Sequence, residues 1–109
     1  MERLRRRAEF LAVAAGVKAP TSALVVQARR RGDEGPPRVG FTVSKKVGTA
    51  VERNRVRRRL KEAVRRSASP YMRLGHDYVI VGRRNALTAD FARLSGDLEQ
   101  ALIRLHAKR

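Results

Sequence analysis

One short segment of this chain carries six basic residues, and these side chains are well suited to binding anions. The segment Ala50 to Lys61 reads AVERNRVRRRLK and carries five arginines and one lysine. Counted at 100° per residue, Val56 and Leu60 fall in one sector and most of its polar side chains fan across the opposite side. The inward sector, continued past Lys61, holds Val56, Leu60, Ala63 and Val64, and the basic face holds Asn54, Arg55, Arg58, Lys61, Arg65 and Arg66. Such a face is suited to binding a polyanion, although a merely solvated face is the alternative that the pattern leaves open.

The start of this helix is predicted at Thr49. Thr49 and Glu52 have the spacing of a capping box, and Gly48 suits the turn before it. Arg53 and Arg55 then fall in the opening turns, where the helix dipole disfavours positive charge. The same helix end attracts phosphate, so an external anion would explain the placement of these arginines.

The chain as a whole is strongly basic. Lys and Arg total 26 against 10 Asp and Glu, which gives a net charge of +16 over 109 residues. A domain with this charge repels itself unless counterions or a polyanion neutralise it, and nucleic acid is the expected partner. Residues 44–66 hold ten of the basic side chains and two acidic ones. Arg29, Arg30 and Arg31 form a smaller basic group that could contact RNA or stay solvated, and solvation is favoured.

Residues for catalysis by the protein itself are not grouped in the sequence. A nuclease site needs clustered carboxylates that hold metal ions, or a paired acid and base, and the ten acidic residues are scattered singly. His76 and His106 are the only histidines. A turn role is predicted for His76, and His106 is placed in a frayed C-terminus. We therefore expect no bond-breaking by the chain alone and no metal or cofactor bound by it.

Composition limits the class of protein. Leu, Ile, Val and Phe number 27, enough for one modest core, so residues 1–109 are predicted to form a single RNA-binding domain. The lack of cysteine fits a reducing compartment. No apolar run approaches the roughly 20 residues of a membrane span. A cytoplasmic location without membrane attachment is expected.

Hydrophobic periodicity predicts six elements in the order helix, strand, strand, helix, strand, helix. This order indicates an α+β fold with two layers and a small mixed sheet. The predicted elements are residues 9–15, 23–28 and 39–44, the helix that starts near residue 49, and residues 77–82 and 88–105. The two strands that flank the Gly- and Pro-containing connection 31–37 are expected to pair antiparallel as a hairpin.

Alternation along the three strands assigns one sheet face to the core and leaves the other half polar. The core set is Leu24, Val26, Val39, Phe41, Val43, Tyr78 and Ile80, and the opposite set is Val25, Gln27, Thr42, Ser44, Val79, Val81 and Arg83. The opposite face could be a wettable groove or could be covered by the first helix, and both hold if that helix covers only part of it. Phe10, on the first helix, is the best aromatic candidate for contact with a base, with a core role equally open.

Several of these segments resemble the bacterial ribonuclease P protein subunit. Residues 43–61, VSKKVGTAVERNRVRRRLK, are similar to the hallmark segment of that family and include its Arg-Asn-Arg motif at 53–55. The stretches RLRRRAEF at 3–10, VGFTV at 39–43 and DYVIVGRR at 77–84 are similar to the family at corresponding places. The resemblance therefore covers nearly the whole chain.

The resemblance implies a small protein that assists a large catalytic RNA in removing the 5′ leader from precursor tRNA. The RNA would perform the hydrolysis with Mg²⁺, and one protein would serve each RNA. Docking on the catalytic RNA is assigned by resemblance to Arg53, Asn54, Arg55, Arg57, Arg58, Lys61 and Lys46. Binding of the single-stranded leader, in a cleft between the first helix and the sheet, is assigned to Phe10, Ser44, Lys45, Arg83 and Arg84. A left-handed crossover through the basic helix is also implied, where general chirality rules favour a right-handed one.

Two positions depart from the family pattern. Relatives generally carry an aromatic residue at the place of Ala14 and often at that of Gln27, both facing the leader cleft. The absence of these aromatic residues predicts that binding of the leader depends more on charge than on stacking. A structural RNA-binding protein of ribosomal type, with no processing role, is the alternative function. A DNA-binding regulator is disfavoured because no helix-turn-helix pairing is recognisable.

Overall fold

Five strands and three helices are formed by residues 2–107, the part of the chain that the computed structural model describes. In chain order they are β1 (Glu2–Arg3), α1 (Arg7–Ala14), β2 (Val17–Pro20), β3 (Leu24–Arg30), β4 (Arg38–Thr42), α2 (Ala50–Ala63), β5 (His76–Gly82) and α3 (Phe91–Ala107). The α+β prediction is confirmed, and each of the six predicted elements is present with ends within three residues of those expected. The short outer strands β1 and β2 were not predicted.

The strands form one sheet in the order β1-β4-β5-β3-β2. β5 pairs parallel with β4 and antiparallel with β3, so it lies between the two strands that were expected to form a hairpin. The hairpin prediction is therefore wrong. β5 carries the nearly continuous apolar run from Tyr78 to Val81, and such a strand is suited to a central position covered on both faces. Pairing with this distant strand replaces the local hairpin.

Helix α2 joins the parallel strands β4 and β5. Its start is the predicted one. The Thr49 side-chain oxygen accepts a hydrogen bond from the Glu52 amide at 3.2 Å, and the Glu52 carboxylate accepts one from the Thr49 amide at 3.0 Å. These two bonds satisfy backbone donors that an uncapped helix would leave unpaired. The left-handed sense of the connection stays a prediction from the family resemblance.

The main core lies between one face of the sheet and helices α2 and α3. The predicted inward residues of α2 are all buried, as are Leu94, Leu98, Leu102 and Leu105 of α3. All seven residues of the predicted core face of the sheet belong to this core or pack against it. Gly82 allows α2 to approach β5 closely, because a Cβ atom there would lie 2.7 Å from the Val56 side chain and 3.0 Å from that of Leu60.

Helix α1 covers part of the opposite sheet face. Val13 packs with Leu4 and Val79 in a small second cluster, and Phe10 contacts its edge. A Cβ atom at Gly40 would lie 2.5 Å from the Phe10 ring, so the glycine allows this ring to lie against β4. Thr42, Ser44 and Arg83 are left exposed on the same face. Both interpretations of this face therefore hold, since α1 covers one part and leaves the other to solvent.

The two histidines lie near the end of the sheet where β5 begins. His76 opens β5, and its Nδ1 lies 2.9 Å from the Leu74 carbonyl oxygen of the preceding turn, as its predicted turn role requires. His106 lies in the last turn of α3, where its Nε2 is 2.6 Å from the Tyr78 hydroxyl oxygen. The prediction of a frayed segment at His106 is wrong, because packing of α3 on the sheet orders the helix to this point. Within residues 2–107, no helix has the length and apolar character needed to cross a membrane.

Candidate nucleic-acid interface

The basic face of α2 is open to solvent. Asn54, Arg55, Arg58 and Lys61 are all exposed. They project from the side of the helix opposite to the buried core residues, as the periodicity predicts. Lys46, in the 3₁₀ turn Lys45–Val47 that precedes α2, is exposed as well. These cations line the helix and its approach, where phosphate groups can reach them.

Two members of the predicted docking set are partly buried. Arg57 donates a hydrogen bond to the Asn54 side-chain oxygen at 3.0 Å, which holds the two side chains together one turn apart. Arg53 is half-buried, and its Nε is a buried donor without a hydrogen-bond partner among the described residues. An unsatisfied buried donor costs about 1–3 kcal/mol. Arg53 is thus incompletely hydrogen-bonded in the free protein, at the helix end that favours anions.

Arg59 is half-buried, and its guanidinium bonds to the protein backbone and not to the basic face. Its guanidinium donates to the carbonyl oxygens of Ala86 at 2.6 Å and Leu87 at 3.0 Å, and also to that of Ala89. These bonds tie α2 to the 3₁₀ turn Arg84–Leu87, which follows β5. The helical period leaves Arg59 off the basic face, but it does not identify these partners, which lie about 30 residues away.

The far end of the predicted basic face is partly neutralised. Arg65 and Arg66 are exposed, yet both pair with the Glu62 carboxylate at 2.6 Å. The hydrogen bond from Arg65 lowers the pKa of Glu62, and Arg66 contributes in the same direction. Arg66 also lies over the Phe91 ring, with its guanidinium carbon 5.4 Å from the ring centre. The cations of α2 that have no carboxylate partner among the described residues therefore lie at residues 53–61.

Most of the predicted leader-binding residues gather at one edge of the sheet. β4 and β5 are parallel neighbours, so their carboxyl ends lie side by side. Ser44 and Lys45 follow β4, Arg83 and Arg84 follow β5, and all four are exposed. Arg83 also donates to the Thr21 carbonyl oxygen at 2.8 Å, which anchors its side chain beside β3. We call the surface formed by these four residues and the exposed sheet face beside α1 the strand-end groove.

Arg84 connects the strand-end groove to the start of α2. It donates to the Val47 carbonyl oxygen at 2.5 Å, and its Nη2 lies 3.5 Å from a carboxylate oxygen of Glu52. The hydrogen bond from the Thr49 backbone amide is the largest cause of the lowered pKa of Glu52, and the hydrogen bond from Arg84 lowers that pKa further. Gly48 fits between these groups, since a Cβ atom there would lie 2.2 Å from the Glu52 carboxylate and 2.8 Å from the Arg84 guanidinium. The groove and the basic helix therefore share one packed junction.

Phe10 stands apart from the four strand-end residues. Its ring is half-buried and lies against Gly40 in the middle of β4, so packing occupies one side of it. Ala14 and Gln27, the two positions at which the family resemblance predicts aromatic residues, are both half-buried. Gln27 pairs in register with Val79 on one side and with Lys18 on the other. This part of the sheet face is thus lined by aliphatic and polar side chains, and Phe10 is its aromatic member.

A buried ion-pair network at the opposite end of the sheet was not predicted. The Asp77 carboxylate is fully buried and accepts hydrogen bonds from Arg31 at 2.7 Å and from Arg38 at 2.8 and 2.7 Å. Arg38 also pairs with Glu9 of α1 at 2.7 Å. Burial alone would raise the pKa of Asp77, but hydrogen bonds from Arg38 and Arg31 outweigh burial and lower it. The sequence signal for this network was the position of Asp77 at the start of an apolar strand. A carboxylate buried there requires charged or hydrogen-bonding partners.

This network corrects the expectation for Arg31. Its side chain is 11% exposed and donates to Asp33 and Asp77, and to the carbonyl oxygens of His76 and Pro36. It is therefore neither solvated nor available to RNA. Arg29 and Arg30 are exposed, so the choice between RNA contact and solvation stays a prediction for these two. Among residues 2–107, no group of three or more His, Cys, Asp and Glu side chains is placed to hold a metal ion.

A capped basic helix beside a half-polar strand-end groove, on a small α+β protein of net charge +16, defines an RNA-binding protein. Comparison with known families makes the class specific. The family model described as Ribonuclease P matches residues 1–106. The chain belongs to the ribonuclease P protein family. As a member of this family, it is an accessory subunit of an RNA-based endoribonuclease of tRNA processing, and the ribosomal-type alternative is not supported.

Individual relatives agree with the family assignment. The chain is 52% identical to the ribonuclease P protein component of Gluconacetobacter diazotrophicus, over 92% of this chain and 87% of the relative. It is 47% identical to that of Caulobacter vibrioides, over 97% and 72%. The fold is similar to the solved RNase P proteins of Staphylococcus aureus (TM-score 0.78, 26% identity, 99% and 96% coverage) and Thermotoga maritima (TM-score 0.75, 29% identity, 100% and 99% coverage).

Proposed function

We propose that the basic face of α2 and the turn before it dock on the catalytic RNA of ribonuclease P, and that the strand-end groove holds the 5′ leader of precursor tRNA. The docking residues are Arg53, Asn54, Arg55, Arg57, Arg58, Lys61 and Lys46. The leader-binding residues are Phe10, Ser44, Lys45, Arg83 and Arg84. The observation that carries this proposal is the junction of Arg84 with Val47 and Glu52, because it connects the strand-end groove directly to the start of α2.

The junction suggests how the protein assists the RNA. A catalytic RNA docked on α2 would have its active site at a set distance from the groove, so a leader bound there would be held in register with the bond to be cut. Contacts to phosphate groups provide affinity and fix the position of the RNA strand, but they distinguish little of its sequence. The leader would therefore be bound largely irrespective of its sequence, with Lys45 and Arg84 providing charge and Phe10 the one aromatic surface.

Charge neutralisation is the second part of the proposal. Two RNA strands brought together repel each other, and cations on the protein reduce that repulsion. The complex should then assemble at lower Mg²⁺ concentration than the RNA alone requires. We propose that the chemical step and its Mg²⁺ belong to the RNA subunit, with one protein for each RNA, in the cytoplasm where precursor tRNA is processed. The protein binds no cofactor in this scheme.

Reconstitution with a bacterial-type catalytic RNA at low Mg²⁺ tests the proposal. The protein is expected to stimulate removal of the leader. Affinity of the holoenzyme is measured for precursor tRNA with a leader and for the same tRNA without one. The protein should strengthen binding of the leader-bearing substrate selectively, and equal strengthening of both substrates would show that the leader assignment is wrong.

Variants separate the two surfaces. Lys45→Ala should weaken binding of leader-bearing substrate by the holoenzyme and leave assembly with the catalytic RNA unchanged. Arg58→Ala should weaken assembly instead. Arg93→Ala is the matched control, because Arg93 is an exposed arginine of α3 whose contact is a 3.5 Å pair with Asp97 on the same helix. Loss of assembly by Arg93→Ala as large as that caused by Arg58→Ala would indicate a diffuse charge effect in place of docking by α2.

A further inference from the structure

A recess of about 450 Å³ lies between strands β1 and β4, the last turn of α2 and the π-helical turn Val64–Ala68 that follows it. Its floor is apolar and consists of Val39, Phe41 and Val64. Its rim holds Arg3, Lys61 and Arg65, together with Glu2 and Ser69. We call it the β1–α2 recess. It lies on the core-facing side of the sheet, the face opposite to α1, so it is separate from the strand-end groove.

Phe41 is the feature of this recess that points to a ligand. The ring is half-buried and packs against the main core from one side. Other half-buried aromatic rings of the described chain have partners: Phe91 lies under Arg66, Tyr71 bonds to Glu99 at 3.3 Å, and Phe10 rests on Gly40. Phe41 instead lines an open recess of a size typical of small-ligand sites, which run from roughly 300 to 1,000 Å³. It therefore offers a flat apolar surface at the bottom of a cavity.

The rim supplies charge for an anionic group attached to a flat apolar one. Arg3 and Lys61 are exposed and form no salt bridge with another of residues 2–107. Arg65 is also exposed, but it shares the Glu62 carboxylate with Arg66. Glu2 is the one carboxylate on the rim, so the cations prevail. An unstacked nucleotide matches this arrangement, since its base has two flat faces and its phosphate is anionic.

We infer that the β1–α2 recess receives one unstacked base of the catalytic RNA, stacked on Phe41, with an adjacent phosphate held by Lys61 and Arg3. The inference rests on the proposed docking of α2, because Lys61 belongs to both surfaces and makes the recess continuous with the basic face. The catalytic RNA is the source of the base, and not the leader, since the groove assigned to the leader lies on the other face of the sheet. Stacking tolerates any base, so the recess adds affinity and register more than sequence preference.

Binding of the full chain to a bacterial-type catalytic RNA tests the inference. Phe41→Leu keeps an apolar side chain in the core but removes the flat ring. Because stacking on an aromatic side chain contributes about 1–3 kcal/mol per base, we expect affinity for the RNA to fall about fivefold or more. The salt dependence should keep its slope, because no phosphate contact is lost, whereas Lys61→Ala should reduce the slope by about one. Phe91→Leu is the matched control, since Phe91 packs against the same core from α3, and it should bind like the wild type.

A second variant gives a direct signal from the recess. The chain has no tryptophan, so Phe41→Trp introduces a single fluorescent reporter while keeping an aromatic ring. Stacking with a base should quench its emission when the catalytic RNA is added. The same reporter placed by Phe91→Trp should respond much less. Equal quenching at the two positions, or quenching of the Phe41→Trp reporter by precursor tRNA without the catalytic RNA, would overturn the inference.

Failure of this inference and failure of the proposed docking have different signatures. If Arg58→Ala weakens binding of the catalytic RNA and Phe41→Leu does not, α2 docks as proposed and the recess holds no base. If Arg58→Ala has no effect, the docking of α2 itself is wrong, and the inference that rests on it is wrong as well. We expect both variants to weaken binding of the catalytic RNA. Arg58→Ala should also lower the salt slope, whereas Phe41→Leu should leave it unchanged.

Discussion

Arg38 and Asp77 are register partners across the parallel strands β4 and β5, and their side chains form a two-point ion pair. Nε of Arg38 donates to Oδ1 of Asp77 at 2.8 Å, and Nη2 donates to Oδ2 at 2.7 Å. Arg31, at the other end of loop 31–37, donates to the same carboxylate at 2.7 Å. One buried carboxylate of β5 therefore holds both ends of the loop that joins β3 to β4. This relationship explains how the loop spans a strand that lies between its two ends.

Substitution of Asp77 should destabilise the protein strongly. Asp77→Asn removes the negative charge that Arg31 and Arg38 both contact, and loss of one partner from a buried ion pair destabilises a protein by about 3–5 kcal/mol. We expect a decrease near the lower end of that range, because 26% of the Arg38 side chain is exposed. Urea unfolding measures it. Asp33→Asn is the control, since Asp33 is an exposed partner of Arg31, and a loss of stability as large as that of Asp77→Asn would contradict the central role of Asp77.

Stability should fall when the pH is lowered below about 4. The pKa of Asp77 is lowered in the folded state from its ordinary value of 3.8. A carboxyl group with a lowered folded-state pKa stabilises the protein above its unfolded pKa, and this contribution is lost as the pH falls through the folded value. Urea unfolding of the wild type and of Asp77→Asn should therefore differ most at neutral pH and converge in acid. A difference that grows below pH 4 would rule out this role for the carboxylate.

Neighbouring arginines of α2 should respond in opposite ways to substitution. Arg59→Ala removes the hydrogen bonds to the carbonyl oxygens of the turn after β5, and we expect a loss of stability of about 1–3 kcal/mol. Arg58→Ala removes an exposed side chain, so stability should be kept. Binding of the catalytic RNA should weaken, with a salt slope lower by about one. Thermal unfolding and RNA titration at several salt concentrations measure both variants, and equal stability of the two would contradict the internal role of Arg59.

Two glycine substitutions should have opposite effects on stability. Gly48 has a φ of +153°, and an added Cβ atom would meet Glu52 and Arg84 at the junction of the groove with α2. Gly48→Ala should destabilise the protein by roughly 1–3 kcal/mol and weaken binding of leader-bearing substrate. Gly96 lies within α3 with no atom close to the position of an added Cβ, so Gly96→Ala should stabilise the protein by about 0.5–1 kcal/mol. Chemical unfolding tests both, and a neutral Gly48→Ala would argue against the packed junction.

The arginines at the start of α2 should contribute to the affinity for the catalytic RNA and not to the stability of the fold. Arg53 and Arg55 lie in the first turns, where the helix dipole disfavours positive charge, so replacing either with Ala should leave stability unchanged or slightly higher. Assembly with the catalytic RNA should weaken, and its salt slope should fall by about one for each lost phosphate contact. Filter binding across a salt series measures this. An unchanged slope for both variants would remove the hypothesis that a phosphate binds at this helix end.

How much of the site was predictable depends on how far apart the interacting residues lie in the chain. The cap formed by Thr49 and Glu52 was predictable, because its partners are three residues apart and bond through the local backbone. The exposed set on α2 followed from the 3.6-residue period. The junction at Arg84 was not predictable from pattern, because its partners Val47 and Glu52 lie more than 30 residues away.

The sequence by itself determined the position, cap and two faces of α2, the core side of each main strand, and the family, because these depend on local period and on motif residues. Only the tertiary structure decided that β5 lies between β3 and β4, since strand pairing joins distant segments and a local hairpin was an available alternative. It likewise decided that Arg31 and Arg59 are held by distant partners within the fold. An arginine carries the same charge in any setting, and only the carboxylates and carbonyl oxygens that fold against it determine its role.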